Sequence, residues 1–245
     1  MKPRILSHIL RPLTPLSRLS QHLSAALLPQ DCYLCAAPAG MPLLCPQCHD
    51  DLPALSLATC PVCAQPTPQG MTCGSCLKQP PWFDATVARF RYTFPVNHLI
   101  QGLKYRHQLA LAPLLANALQ KTATHLPPAD LLLAVPLSRQ RLAQRGFNQA
   151  VELARPLARA NGLPLITEGY ARTLDTVPQA TLPWKERHGN IRGAFECARS
   201  LDGLRLIVVD DVMTTGASLN EFARTLKKRG AVHITNWVVA RAYRE

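Results

Sequence analysis

Two kinds of apolar pattern alternate along this chain: short unbroken runs, and longer stretches with apolar residues on one helical face. Leu131 to Val135 and Leu206 to Val209 are of the first kind. Unbroken aliphatic runs of that length suit strands covered on both faces, as in a parallel sheet. Trp82 to Tyr92 has strand-like composition and follows Gln79-Pro80-Pro81, which reads as a domain boundary. Pro95 to Tyr105 and Leu109 to His125 read as helices, the second carrying Leu111, Leu114, Leu115, Ala118 and Leu119 along one side. Phe147 to Asn161 resumes the helical pattern, with Pro156 expected to kink it and Gly162 to stop it. Leu219 to Arg229 is a last helix. Strands alternating with helices predict an α/β domain with a mostly parallel sheet flanked by helices, in which ligands sit beyond the carboxyl ends of the strands.

At one such end, Leu206-Ile207-Val208-Val209-Asp210-Asp211-Val212-Met213 runs into Thr214-Thr215-Gly216-Ala217-Ser218. Two carboxylates can accept hydrogen bonds from vicinal hydroxyls, while hydroxyls and main-chain amides at a helix start favour a phosphate. The run resembles the ribose-phosphate signature of the type I phosphoribosyltransferases. That resemblance implies that Asp210 and Asp211 hold the ribose hydroxyls of phosphoribosyl pyrophosphate, and that Thr214, Thr215, Gly216, Ala217 and Ser218 cradle its 5-phosphate. By position after the other strand, Leu137 to Gln149 is the candidate pyrophosphate loop, with Ser138, Arg139 and Arg145 as ligands; a solvated basic loop is the alternative. A polar stretch from Ala171 through Asn190 matches the mobile loop that closes over substrate in such proteins, and Arg172, Gln179, Arg187 and Asn190 are its ligand candidates.

Ahead of that domain the pattern changes from apolar periodicity to cysteine spacing. Cys32-x2-Cys35-x9-Cys45-x2-Cys48 is repeated with the same spacing at Cys60, Cys63, Cys73 and Cys76. Two C-x-x-C knuckles complete a tetrahedral sulfur site suited to zinc, so two zinc ribbons are expected. Disulfides are the competing use, disfavoured in a reducing compartment. Local pairing of knuckles within each half is expected, because nine residues close a loop at little entropic cost; cross-braced pairing is the alternative. Cys197 stands outside the repeat and reads as a plain buried thiol.

Composition adds bounds. The 245 residues carry 27 Lys plus Arg against 15 Asp plus Glu, a formal charge of +12, which favours phosphorylated or polyanionic partners. No acid precedes Asp31, so residues 1–29 read as a basic lead-in. His8, Arg11 and Pro12 interrupt its apolar core, which argues against a secretory signal and for a cytoplasmic location. No run of about twenty apolar residues exists to make a spanning helix.

Taken with Gly102-Leu103-Lys104-Tyr105, Val135-Pro136-Leu137-Ser138, Arg145 to Gln149 and Arg187 to Phe195, these features resemble the ComF/GntX family. The resemblance implies a double zinc ribbon at 30–80 joined to a type I phosphoribosyltransferase-like domain at 81–245, magnesium with phosphoribosyl pyrophosphate, and a role in DNA uptake or utilisation with single-stranded DNA and other uptake proteins as partners. Active transfer of ribose 5-phosphate to a nitrogen nucleophile is the alternative.

Overall fold

A computed structural model describes residues 30–40, 43–55, 58–122, 128–174 and 191–243. The chain divides into two compact units, residues 1–51 and 52–245. Expectations for the lead-in 1–29 and for Gln179, Arg187 and Asn190 lie outside the described residues.

In the first unit, β1 (Gln30–Asp31) pairs antiparallel with β2 (Pro38–Gly40), and α1 (Pro46–Asp50) follows. Cys45 caps that helix, its Sγ accepting from the Cys48 amide at 3.5 Å, and Pro46 fits its first turn.

The second unit opens with residues Leu52 to Leu55, bridged to the edge of the main sheet at Ala54 and Phe90, and with α2 (Gly74–Lys78). The elements then run β3 (Ala85–Arg91), α3 (Val96–Tyr105), α4 (Leu111–Gln120), β4 (Leu131–Ala134), α5 (Arg139–Arg145), α6 (Gln149–Asn161), β5 (Leu165–Ile166), β6 (Tyr170–Arg172), β7 (Phe195–Cys197), β8 (Arg205–Met213), α7 (Ala217–Lys227) and β9 (His233–Arg241). Five strands form one parallel sheet in the order β3-β9-β8-β4-β5. From β4 the chain moves to the β5 edge; from β8 it moves the other way, to β9. Their junction is therefore the topological switch point, where a crevice opens outside the strand ends.

Both faces of the sheet are covered, which explains the unbroken apolar runs. Leu206 and Val208 pack with Leu219, Phe222 and Leu226 of α7, and Phe222 stacks between Tyr170 and Phe195 at 5.4 and 5.1 Å. By strand alternation Ile207 and Val209 face the opposite layer, where α4 and α6 pack together. Tyr170 and Phe195 belong to the antiparallel hairpin β6–β7, which begins where the mobile loop was expected.

Several elements differ from the sequence reading. Residues 139–145 form a helix rather than a loop, because Ser138 caps its start and Gly146, at φ 77°, ends it. As expected, by contrast, Gly162 stops α6 at φ 63°, and Pro156 lies inside that helix. Strand β8 continues through both acids to Met213, since β9 carries the ladder on to Met213 and Arg241. The unforeseen β9 lies inside the sheet, between β3 and β8, and is almost wholly buried.

Candidate functional site

The crevice at the switch point is a cavity of about 570 Å³. Val135, Pro136 and Leu137 line it from the end of β4, and Asp210, Asp211, Val212 and Thr214 from the end of β8. Lys104 and Tyr105 close it from α3, His107 from the turn that follows, Arg141, Gln144 and Arg145 from α5, and Arg172 from β6.

Asp211 is buried, and its carboxylate forms an ion pair with Lys104 and accepts from Gln149 Nε2 at 3.1 Å. Gln149 in turn accepts from Arg145, whose guanidinium lies 5.2 Å from the Tyr105 ring centre. An Arg145–Gln149–Asp211–Lys104 network thus ties three helices to one carboxylate of β8. Asp210 Oδ1 accepts from the Asp211 amide at 2.8 Å. Burial pushes both carboxyls up; at Asp211 the Lys104 ammonium overcomes it and holds the group below 3.8. At Asp210 the neighbouring Asp211 charge adds to burial and pushes the group well above that value. Burial lowers the Lys104 ammonium, but the Asp211 and Asp210 charges outweigh it and raise the group above 10.5.

Not every expected residue reaches this cavity. Thr214 and Ser218 line it, whereas Thr215 Oγ1 accepts from the Ala217 amide at 3.2 Å within the turn that leads into α7. Gly216 and Ala217 are buried, Gly216 at φ 81° where only glycine is at ease. Ser138 is buried and caps α5, accepting from the Arg141 amide at 3.4 Å. Arg139 faces an adjoining cleft with Leu142, Phe147, Tyr170 and Glu196. Arg145 and Arg172 are in the cavity, Arg172 buried with its Nε donating to the Leu174 carbonyl at 3.3 Å. Lys104, Arg141, Gln149 and Tyr105 were given no site role from sequence, although Gly102 to Tyr105 and Arg145 to Gln149 stood out as motifs.

The eight repeated cysteines gather into two groups of four, Cys32, Cys35, Cys45 and Cys48, and Cys60, Cys63, Cys73 and Cys76, with the Sγ atoms of each group within 4.8 Å of one another. Pairing is therefore local in each half. Cys35 and Cys45 Sγ lie 3.7 Å apart, and Cys63 and Cys73 Sγ 3.5 Å apart. Tetrahedral zinc with bonds of about 2.3 Å separates its sulfurs by about 3.8 Å, so both groups fit the ion. Burial pushes the Cys32 thiol up, yet the amides of Cys45, Cys35 and Leu34 outweigh it and hold that thiol at about 6. Cys60 is held at about 7 in the same way by the amides of Cys73, Cys63 and Val62. Thiols beside these are driven up: Cys48 by Cys35 and Cys45, and Cys76 by burial and Cys63. Four crowded thiols of this kind ionise together only around a cation. The two clusters are consistent with two zinc sites.

Among the described residues no helix is long and apolar enough to cross a membrane. A double zinc ribbon domain matches residues 23–77, and a phosphoribosyl transferase domain matches residues 142–243. The DNA utilization protein YhgH of Salmonella typhi is 31% identical over 223 residues, covering 87% of this chain and 98% of the relative. Competence protein F of Haemophilus influenzae is 37% identical over 179 residues, 69% of this chain and 78% of the relative. Competence protein ComFC of Bacillus subtilis is 26% identical over 213 residues, 81% of this chain and 84% of the relative.

Proposed function

The chain belongs to the ComF family of competence and DNA-utilization proteins, and on that footing we propose that it binds phosphoribosyl pyrophosphate in the switch-point cavity and acts in DNA uptake or utilisation. One observation carries this reading: a single cavity holds two carboxylates, two hydroxyl side chains at the start of a helix, and a wall of cations.

Asp210 and Asp211 would accept from the ribose hydroxyls. The 5-phosphate would lie against Thr214, Ser218 and the first amides of α7, where the helix dipole favours an anion. Arg141, Arg145 and Arg172 would face the diphosphate, whose oxygens a guanidinium fork can take in pairs. Arg187 would be a further phosphate ligand, as the family resemblance implies. Magnesium would neutralise diphosphate charge, with Asp210 carboxylate oxygens available to hold it. Lys104 would keep the Asp211 carboxylate ionised and fixed.

Single-stranded DNA fits the formal charge of +12 and the relatives' names. Other uptake proteins fit the same names, and eight reduced zinc-site thiols fit the cytoplasm. Retention of single-stranded DNA should then weaken steeply as salt rises.

A transferase reading has one feature in its favour. Tyr92, Tyr105 and His107 line the same cavity and offer a flat acceptor something to stack on. The bond from C1 to diphosphate would break, a nitrogen would bond to C1, its proton would pass to solvent, and pyrophosphate would leave. Base-dependent pyrophosphate release would establish turnover.

Calorimetric titration with magnesium and phosphoribosyl pyrophosphate tests the proposal. Wild-type protein should bind, and Asp210→Asn combined with Asp211→Asn should abolish binding with zinc content unchanged. Undiminished binding by that double variant would refute the site assignment.

A further inference from the structure

We propose that the second cysteine cluster is a working part of the sugar-phosphate site, joined to it through Arg241 as a positioning residue. The proposal rests on the binding site assigned above. It extends that reading by giving a zinc ribbon a role inside the pocket's architecture.

Arg241 ends β9 and is only 3% exposed. Its Nε donates to the carbonyl of Cys63 at 2.8 Å, so it grips the main chain of a metal-ligating residue. Its Nη1 donates to the carbonyl of Met213 at 2.9 Å and to that of Thr214, the last residue of β8 and the first of the phosphate loop. The same nitrogen reaches the Ala242 carbonyl at 2.6 Å, which also accepts from Gln65 Nε2 at 3.2 Å. One planar guanidinium therefore spans the Cys60–Cys63 knuckle and the Met213–Thr214 peptides. Lysine has a single nitrogen and no such fork.

Geometry turns that grip into a positioning effect. In a trans peptide the C=O and the following N–H point in opposite directions. Holding the Met213 and Thr214 carbonyls on Arg241 therefore aims the amides of Thr214 and Thr215 away from it. The buried cation also stands behind the loop that would receive a phosphate, and favours an anion there.

The knuckle is built into the same core. Cys60, Cys63 and Ala64 pack in one apolar cluster with Phe83, Met213 and Ala217. The Thr86 amide of β3 donates to the Pro61 carbonyl at 3.2 Å. Loss of metal from this cluster would release the 60–65 turn, withdraw the Cys63 carbonyl from Arg241, and loosen the loop. Linkage then requires the reverse: bound sugar phosphate tightens zinc at this cluster.

Cys76→Ser removes one ligand without touching Arg241 or the cavity, and Cys76→His restores a ligand set that zinc accepts. Three quantities would be measured in full-length protein: zinc content, affinity for phosphoribosyl pyrophosphate with magnesium, and amide hydrogen exchange. Cys76→Ser should lose about one zinc, weaken ligand binding on the order of ten-fold, and speed exchange at Thr214 to Ser218, while Leu131 to Ala134 and Leu206 to Val209 stay protected. Cys76→His should recover all three. Faster loop exchange in Arg241→Lys, with zinc retained, would support the same link, and this variant decides if Cys76→Ser loses its core protection. The proposal is overturned if zinc is lost from Cys76→Ser while loop exchange and affinity stay at wild-type values, or if Arg241→Lys leaves the loop amides unchanged. Absence of any ligand binding by wild-type protein would instead sink the functional reading, and the exchange comparison would still decide the coupling.

Discussion

Asp211 and Lys104 form the most consequential pair in the cavity, because Asp211 is buried, Lys104 is half-buried, and each corrects the other's charge. A carboxylate held below its ordinary 3.8 contributes stability above that value and loses it as pH falls through its folded-state pKa. An ammonium raised above 10.5 contributes below that value and loses it at higher pH. The pair therefore stabilises the fold between those limits. Lys104→Met leaves Asp211 buried beside the cavity without its cation, which should cost about 3–5 kcal/mol at neutral pH. Thermal melts of the two proteins should converge as pH falls below the carboxylate range; a constant gap at all pH values would contradict the pair's role. From sequence, the acids were legible because a β-branched run ends on them. Lys104 was not, since a lysine at the end of a helix is ordinarily solvated and only tertiary packing brings it to β8. Arg139 and Arg145 show the same limit. Both sit in one basic stretch, but the helical turn of α5 sends Arg145 into the cavity and Arg139 to the adjoining cleft.

Elements were more legible than contacts. Strands β4 and β8 and helices α3, α4, α6 and α7 follow from apolar runs and spacing, because parallel strands buried on both faces leave an unbroken aliphatic signature. Helix α5 was missed although Ser138 and Gly146 mark its ends, because its exposed face, with Arg139 and Leu142, lacks an apolar stripe. Strand β9 was missed although Trp237 to Ala240 is apolar, because polar His233, Thr235 and Asn236 dilute its start. Two changes test how these elements hold the loop. Gly216→Ala places a Cβ 2.6 Å from Met213 Cε at a left-handed φ, and should lower stability by about 1–2 kcal/mol and weaken ligand binding. Equal melting and equal affinity would show that the loop does not need this conformation. Phe222→Ala empties the space between Tyr170 and Phe195 and should cost about 3–5 kcal/mol in denaturant unfolding. A loss well under that range would mean that α7 repacks.

On the scale of the whole molecule, the cysteine repeat announced two four-cysteine clusters, and the alternation of strands and helices announced the parallel sheet. Sequence spacing made the two halves of the ribbon look equivalent, yet they belong to different compact units. Cys60, Cys63 and Ala64 pack into the sheet's apolar core, a contact that no spacing reveals. In 31–51, Cys32 and Leu44 are the buried apolar residues among those described, so folding there must draw on the metal. Chelation followed by limited proteolysis should cut first within 31–51, with the sheet of 85–241 intact; simultaneous cleavage of both would contradict this division. The central claim, that the switch-point cavity receives an activated pentose phosphate, is tested most directly by a crystal structure with ribose 5-phosphate. The account predicts the phosphate at the start of α7 beside Thr214 and Ser218, with the ribose hydroxyls on Asp210 and Asp211. Sugar found elsewhere on the protein, with the cavity closed against it, would contradict the account.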